Sequence, residues 1–389
     1  MRIGYFSSKF PYNLDFSDYI CGGSVLATHS LIKEIAKMNH EIKVFTTSKD
    51  YKNHIEISGN IEVYRYGTQM KLLSSNLSLG LFIEPLKYDV DLVHVSFDIP
   101  PGPFAGYRYA KKKNLPLIVT YHGDWEESYG NILRKIGVAF NNKFLVDKIL
   151  SYAQVIISPS KTYLKTSEFL RKYKEKVIVI PNGVNMNEFK VKYSKEECRN
   201  KLNLPIDEYI VLFFGYLSPY KSPDILIKAL SRILKYIPSV LLVFAGSGVM
   251  MDELKKLSAD LGVDENVKFV GFIGKDQRSL YYKSADIFCL PSTMKTESFG
   301  IANLEAMSSG IPIVASNFGG IPDVVKDDEN GLLIPPNDID ALVHAIIYLL
   351  KNNEIREKMG LDGKNKASDY TWKNITKMTD EIYRKYSDE

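Results

Sequence analysis

A chain of 389 residues with 45% hydrophobic side chains is long enough for two domains that each bury a core, and it shows neither the composition of a disordered segment nor a repeat array. Its 50 basic and 46 acidic residues leave a net charge of +4, which gives a nucleic-acid partner no support. Three cysteines far apart, Cys21, Cys198 and Cys289, argue against a disulfide framework or a structural zinc site and suit a reducing interior.

The chain runs from Met1-Arg2 straight into the apolar Ile3-Gly4-Tyr5-Phe6, with no stretch resembling a signal peptide and none of membrane-spanning length, so a cytoplasmic location is expected. Short apolar runs at 3–6, 42–46, 61–64, 92–95, 117–121, 155–157 and 177–180 alternate with helical stretches. That alternation predicts βαβ units and a parallel sheet. A second series at 210–214, 240–245, 267–270, 287–290, 313–315 and 331–334 predicts another, so the fold class is α/β with two doubly wound domains in tandem. The turn cluster Pro181-Asn182-Gly183 marks the break between them.

Ligands of such sheets bind beyond the carboxyl ends of the strands, so the residues that follow each apolar run are candidates. Gly22-Gly23 opens the first helix and lets backbone N–H groups approach a phosphate or sugar. His122, in Thr120-Tyr121-His122-Gly123-Asp124, stands where a strand must turn and can hydrogen-bond a sugar, whereas His94 within Val93-His94-Val95 reads as structural. Asp124 reads equally as a helix N-cap or as a group that activates an acceptor. Asp89-Val90-Asp91 lies at the amino end of a strand and reads as structural, so no metal is expected. The stretches 71–88, with Leu72-Leu73, Leu77, Leu79 and Leu81-Phe82, and 129–152, with Arg134, Lys135, Lys143 and Lys148, read either as amphipathic helices packed on their own domain or as a face toward a membrane or lipid-linked acceptor.

In the second half, Gly215-Tyr216-Leu217-Ser218-Pro219-Tyr220-Lys221 follows a strand and places a lysine at the mouth of the next helix. Gly246-Ser247-Gly248 follows the next strand but lacks the third glycine of a dinucleotide fingerprint, and Gly271-Phe272-Ile273 follows another. The densest segment begins at Glu297-Ser298-Phe299-Gly300. An apolar run over 286–291 precedes it, and Ser308-Ser309-Gly310 with Pro312 stops the helix between. That helix starts near Phe299-Gly300, where free N–H groups and the positive dipole end suit a diphosphate. Glu305 lies about five residues inside, roughly 7–8 Å along the axis at 1.5 Å per residue. One carboxylate is then placed for a sugar and the other for a ribose; the plainer readings are a helix-start carboxylate for Glu297 and a solvated helix residue for Glu305.

Glu297-Ser298-Phe299-Gly300 with Glu305-Ala306-Met307, then Gly310-Ile311-Pro312-Ile313-Val314-Ala315 and Gly319-Gly320-Ile321-Pro322, resembles the signature of the retaining glycosyltransferases of family 4. Gly22-Gly23, His122, Val179-Ile180-Pro181-Asn182-Gly183-Val184-Asn185, Gly215 to Lys221, Asn330-Gly331-Leu332-Leu333-Ile334 and Tyr370-Thr371-Trp372 match in the same order over almost the whole chain. The resemblance implies a GT-B fold, two Rossmann-like domains facing across a cleft: 1–182 on the acceptor side, 183–368 for the nucleotide sugar, and a helix over 369–389 crossing back to the first domain. It implies transfer of a sugar from a nucleoside diphosphate to an acceptor hydroxyl in glycan, glycolipid or polysaccharide synthesis, with no cofactor beyond the donor substrate. The partners implied are the nucleotide sugar and an acceptor the motifs do not identify, with a peripheral membrane contact as one reading of the apolar stretches. His122, Lys221 and Glu297 take the catalytic positions. Gly22, Gly23, Gly215, Tyr216, Gly246, Phe272, Ser298, Phe299, Gly300 and Glu305 take the donor-binding ones. The family usually has Arg where this chain has Tyr216 and Gly where it has Ser222; Lys9 is an alternative source of the missing charge. A sugar-nucleotide epimerase on the same fold and a catalytically weak binding subunit are the competing readings.

Overall fold

The computed structural model describes residues 1–12, 22–72 and 75–387; the expectations on Cys21, on Leu73 and on most of the loop after the first strand lie outside them. The described chain divides into two compact units, Met1–Gly183 with Trp372–Glu389, and Val184–Thr371.

The first unit contains β1 (Arg2–Phe6), β2 (Glu41–Thr47), β3 (His54–Ser58), β4 (Ile61–Tyr66), the short β5 (Met70–Leu72) and β6 (Ser75–Leu77), then β7 (Leu92–Phe97), β8 (Leu117–Tyr121), β9 (Val155–Ser158) and β10 (Val177–Val179). Eight of them form one sheet in the order β10-β9-β8-β7-β1-β2-β4-β3, parallel except that β3 runs antiparallel to β4. All six residues of β7 are buried, as a central parallel strand covered on both faces requires. The order reverses direction between β1 and β7, which pair from Ile3 with Leu92 to Phe6 with Val95.

Helix Trp372–Ser387 belongs to this unit and puts Ile375, Ile382 and Tyr383 into a core with Ile3, Tyr5, Ile32 and Val155. Polar groups go in with them. The hydroxyls of Tyr5 and Tyr383 hydrogen-bond, His94 Nδ1 meets the Tyr383 hydroxyl, and His94 Nε2 lies 2.7 Å from Thr120 Oγ1. Buried His40 Nε2 is 2.7 Å from Asp380 Oδ1.

The second unit carries β11 (Tyr209–Phe214), β12 (Val240–Ala245), β13 (Val267–Gly271), β14 (Ile287–Leu290), β15 (Ile313–Ser316) and β16 (Gly331–Ile334) in the all-parallel order β13-β12-β11-β14-β15-β16. This is the doubly wound Rossmann order, with its switch point between β11 and β14.

Two stretches differ from expectation. Residues 71–88 form no long amphipathic helix: β5 and β6 pair antiparallel, followed by a short helix Gly80–Ile83 and a 3₁₀ turn Glu84–Lys87. Within 129–152, helix Ile132–Phe140 passes through a π-helical turn Asn141–Leu145 into helix Val146–Tyr152. Only the last of these packs fully, through Val146, Ile149 and Leu150; Ile132, Leu133, Ile136, Phe140 and Phe144 are exposed.

Candidate active site

The loops after β11 and β14 leave the sheet on either side of the switch point, and they bring Lys221 and Glu297 together. Lys221 Nζ donates to Glu297 Oε2 at 2.9 Å, and Ser292 Oγ donates to the same oxygen at 3.3 Å. Both side chains are about nine-tenths buried, at 11% and 10% exposure. Burial opposes the lysine's charge, yet the Glu297 carboxylate and the Tyr220 hydroxyl raise its pKa above the ordinary value, so it is a cation at neutral pH. The turn Pro219–Lys221 ends in Ser222 at φ 47, ψ 50, the left-handed region where the family's glycine is at ease; Ser222 Oγ holds Thr293 Oγ1 at 2.6 Å. Pro223 then starts helix Pro223–Ile233, where its fixed φ suits the first position.

The glycines of these loops set how closely the strand ends approach. A Cβ on Gly246 would lie 1.9 Å from the Gly215 carbonyl oxygen, so any side chain there pushes β11 and β12 apart. Gly300 caps helix Ile301–Ser309 in the left-handed conformation, φ 79, ψ 58, and a Cβ on it would come within 2.5 Å of Asn303 Nδ2. Ser298 and Phe299 are buried just before this cap, and Phe299 packs against Tyr370 with ring centroids 6.3 Å apart.

Glu305 is not a solvated helix residue. Its Oε1 accepts from Arg278 Nη1 at 2.8 Å and its Oε2 from the Tyr282 hydroxyl at 2.8 Å, while Arg278 Nη2 reaches Glu188 Oε2 at 2.6 Å. Arg278 carries no motif signal, because its partners lie 27 and 90 residues away in sequence. Tyr216 and Phe272 stand out from the surface, at 47% and 56% exposure.

In the first unit Gly22 is the N-cap of helix Gly23–Ala36. His122 follows β8, and its Nε2 lies 3.0 Å from Ser96 Oγ at the end of β7. Burial lowers its pKa to about 4, so the ring is neutral at pH 7. His122 and Ser96 line a cavity with Thr28, His94, Asn182 and Trp372. Asp124 caps no helix: its Oδ1 accepts from the Tyr121 hydroxyl at 2.8 Å and Ser167 Oγ at 2.7 Å, a hub that ties the strand end to helix Glu168–Lys172.

Sequence reasoning passes over Asp98, directly after β7 at this unit's own switch point. It is buried; Ser7 Oγ donates to its Oδ2 at 3.3 Å, and its Oδ1 has no hydrogen-bond partner. Burial raises its pKa to about 7, against the Ser7 and backbone hydrogen bonds that favour the charged form. The only sequence signal is a carboxylate at the end of an apolar strand. Among the described residues no group of three or more His, Cys, Asp or Glu is placed to hold a metal ion.

Residues 194–366 match the glycosyl transferases group 1 family, and residues 21–188 match glycosyltransferase family 4. The chain is 30% identical over 383 residues to an uncharacterized glycosyltransferase of Methanocaldococcus jannaschii, covering 95% of this chain and 96% of that one. It is 28% identical to the alpha-monoglucosyldiacylglycerol synthase of Streptococcus pneumoniae, covering 91% of this chain and 80% of the other. Among solved structures, sucrose-phosphate synthase from Thermosynechococcus elongatus superposes with a TM-score of 0.79 at 24% identity, over 99% of this chain and 98% of that one. With these relatives at full length and two Rossmann-like units of this topology, the chain belongs to the group 1, family 4 glycosyltransferases and has the GT-B fold.

Proposed function

We propose that this glycosyltransferase moves a sugar from a nucleoside diphosphate to an acceptor hydroxyl with retention of anomeric configuration. The observation that carries the reading is the buried Lys221–Glu297 pair at the β11/β14 switch point, beside the helix entrance at Gly300. A phosphate oxygen entering there exchanges one anionic partner of Lys221 for another, and the ammonium, with the N–H groups at the entrance, stabilises the charge that grows as the diphosphate leaves. The bond from the anomeric carbon to the diphosphate breaks while the acceptor oxygen bonds the same face. The acceptor proton passes to the departing phosphate oxygen, so no metal or further cofactor enters the step. Glu297, released from Lys221, supports the sugar; Glu305, preset by Arg278 and Tyr282, accepts from ribose hydroxyls; His122 meets a hydroxyl of the transferred sugar.

The acceptor in this proposal is lipid-linked. Ile132, Leu133, Ile136, Phe140 and Phe144 form an exposed apolar ridge beside exposed Lys135, Lys143 and Lys148, which suits the surface of an anionic bilayer. Among the described residues no helix is long and apolar enough to cross a membrane.

A thermal-shift panel of UDP-, GDP- and ADP-sugars tests the donor, since a ligand bound to the native state raises Tm by mass action. Product configuration, read by NMR, tests retention. An inverted product, or no shift with any member of the panel, overturns the reading.

A further inference from the structure

Lys221 already holds an anion of the protein's own where the diphosphate is proposed to sit. Its Nζ and the Ser292 hydroxyl both donate to Glu297 Oε2, at 2.9 and 3.3 Å. The two loops that carry the pair are fastened to each other beside it: the Thr293 amide donates to the Tyr220 carbonyl at 3.0 Å, and Ser222 Oγ lies 2.6 Å from Thr293 Oγ1. The Glu297 backbone is held as well, its carbonyl accepting from the Gly320 amide at 3.1 Å. The pair can therefore open by rotation of side chains, with no parting of the loops.

Both side chains are about nine-tenths buried, and a buried ammonium stripped of its anion is costly, so whatever takes Lys221 must displace Glu297. The affinity of a diphosphate for this lysine is then the difference between two charged hydrogen bonds, not the whole of one. Donor and product differ in what they offer the displaced carboxylate. A nucleotide sugar brings a sugar hydroxyl that can donate to Glu297; the nucleoside diphosphate left after transfer has lost that sugar, and Lys221 is again the stronger donor within reach.

We infer that Glu297 is a product-release latch: its carboxylate competes with the spent diphosphate for Lys221 and closes back onto the lysine once the sugar has gone. This rests on the proposed diphosphate-facing role of Lys221 and gives Glu297 a second task, after the transfer step.

Calorimetry of the full chain with inorganic pyrophosphate in metal-free buffer is the test, since that probe carries the diphosphate with neither base nor sugar. Glu297→Gln removes the competing charge, and Glu297→Asp keeps the charge but is one methylene too short to hold the lysine. Both should bind pyrophosphate about tenfold more tightly than the native chain, the ratio that one charged hydrogen bond supplies, and both should show a larger pyrophosphate-induced rise in Tm. Unchanged affinity in both overturns the latch. Tightening in Glu297→Gln alone also overturns it, because that is the general relief of repulsion between two anions. Lys221→Met should bind pyrophosphate about tenfold more weakly than the native chain. Native affinity in Lys221→Met overturns the diphosphate-facing role itself, whereas weakened binding there with no tightening in Glu297→Asp overturns the latch alone.

Discussion

Lys221 is the side chain on which the proposed chemistry leans most. Its replacement by Ala should lower turnover roughly 10²–10³-fold, as loss of one preorganised donor to a developing anion does, while EDTA leaves the rate unchanged. Steady-state kinetics with and without chelator check both. Tyr216 stands near the start of the same loop as a neutral group where the family usually has a cation, and it is half-exposed. Tyr216→Arg should therefore tighten binding of the nucleoside diphosphate and make that binding more sensitive to salt, since a guanidinium offers a charged, two-pronged contact. Calorimetry at two salt concentrations reads this directly; unchanged affinity means that Tyr216 does not face the phosphates. Asp98 gives a prediction about pH. Its folded pKa of about 7 lies above its ordinary value of 3.8, so between those values the unfolded chain ionises while the native carboxyl stays protonated. The stability of the native chain relative to Asp98→Asn should fall by roughly 1.4 kcal/mol per pH unit from about pH 4 to about pH 7 and then level off. Buried His94, with its pKa lowered to about 3, runs the other way, its contribution lost as pH falls below about 6.5. Comparing urea midpoints of the two proteins at each pH cancels the histidine contribution.

At the scale of elements, the turn before helix Pro223–Ile233 balances two opposing effects. Ser222 holds a left-handed conformation that disfavours a side chain by about 1–2 kcal/mol, and its hydroxyl recovers about 1 kcal/mol by bonding Thr293. Ser222→Gly should thus be within about 1 kcal/mol of native stability, whereas Ser222→Ala keeps the strain, loses the bond and should lose about 1 kcal/mol; thermal melts separate the two. Ile136→Glu on the exposed ridge should leave Tm unchanged and abolish sedimentation with anionic vesicles. The elements also show where local pattern carries information. Buried parallel strands such as β11, β12 and β14 are continuous apolar runs between turn residues, so they are legible in the chain. β3 is not: as an edge strand it turns Ile55 and Ile57 outward at 61% and 71% exposure, and its alternation has no buried face to mark it. The β5–β6 pair is three residues per strand, too short for a period to show. Lys221 and Glu297 are legible as strand-end residues, but their meeting follows from β11 lying next to β14, and Arg278, Ser96 and Thr28 are held by partners remote in sequence. Strand order and remote pairing are tertiary facts that a local window does not contain.

For the whole molecule, the last helix is part of the first unit's interior. Truncation after Thr371 removes Ile375, Ile382 and Tyr383 from that core and leaves His94 without its Tyr383 partner. Hydrogen exchange should then show the Met1–Gly183 sheet losing protection while the sheet of Val184–Thr371 keeps it; equal loss in both would mean that the two units do not unfold separately. The chain enters and leaves the second unit side by side, since Val184 bridges Thr371 and the Val184 amide donates to the Tyr370 carbonyl at 2.7 Å. The second unit is thus a self-contained insertion in a first unit whose sequence is split. During synthesis this inverts the usual order of domain completion. The unit translated first must wait, with the Tyr5 and Ile32 side of its sheet uncovered, until the helix Trp372–Ser387 leaves the ribosome, while the unit translated later has all of its strands and can close before it. A stalled or prematurely ended chain therefore presents one finished domain and one open apolar face, the state that chaperones and proteases recognise.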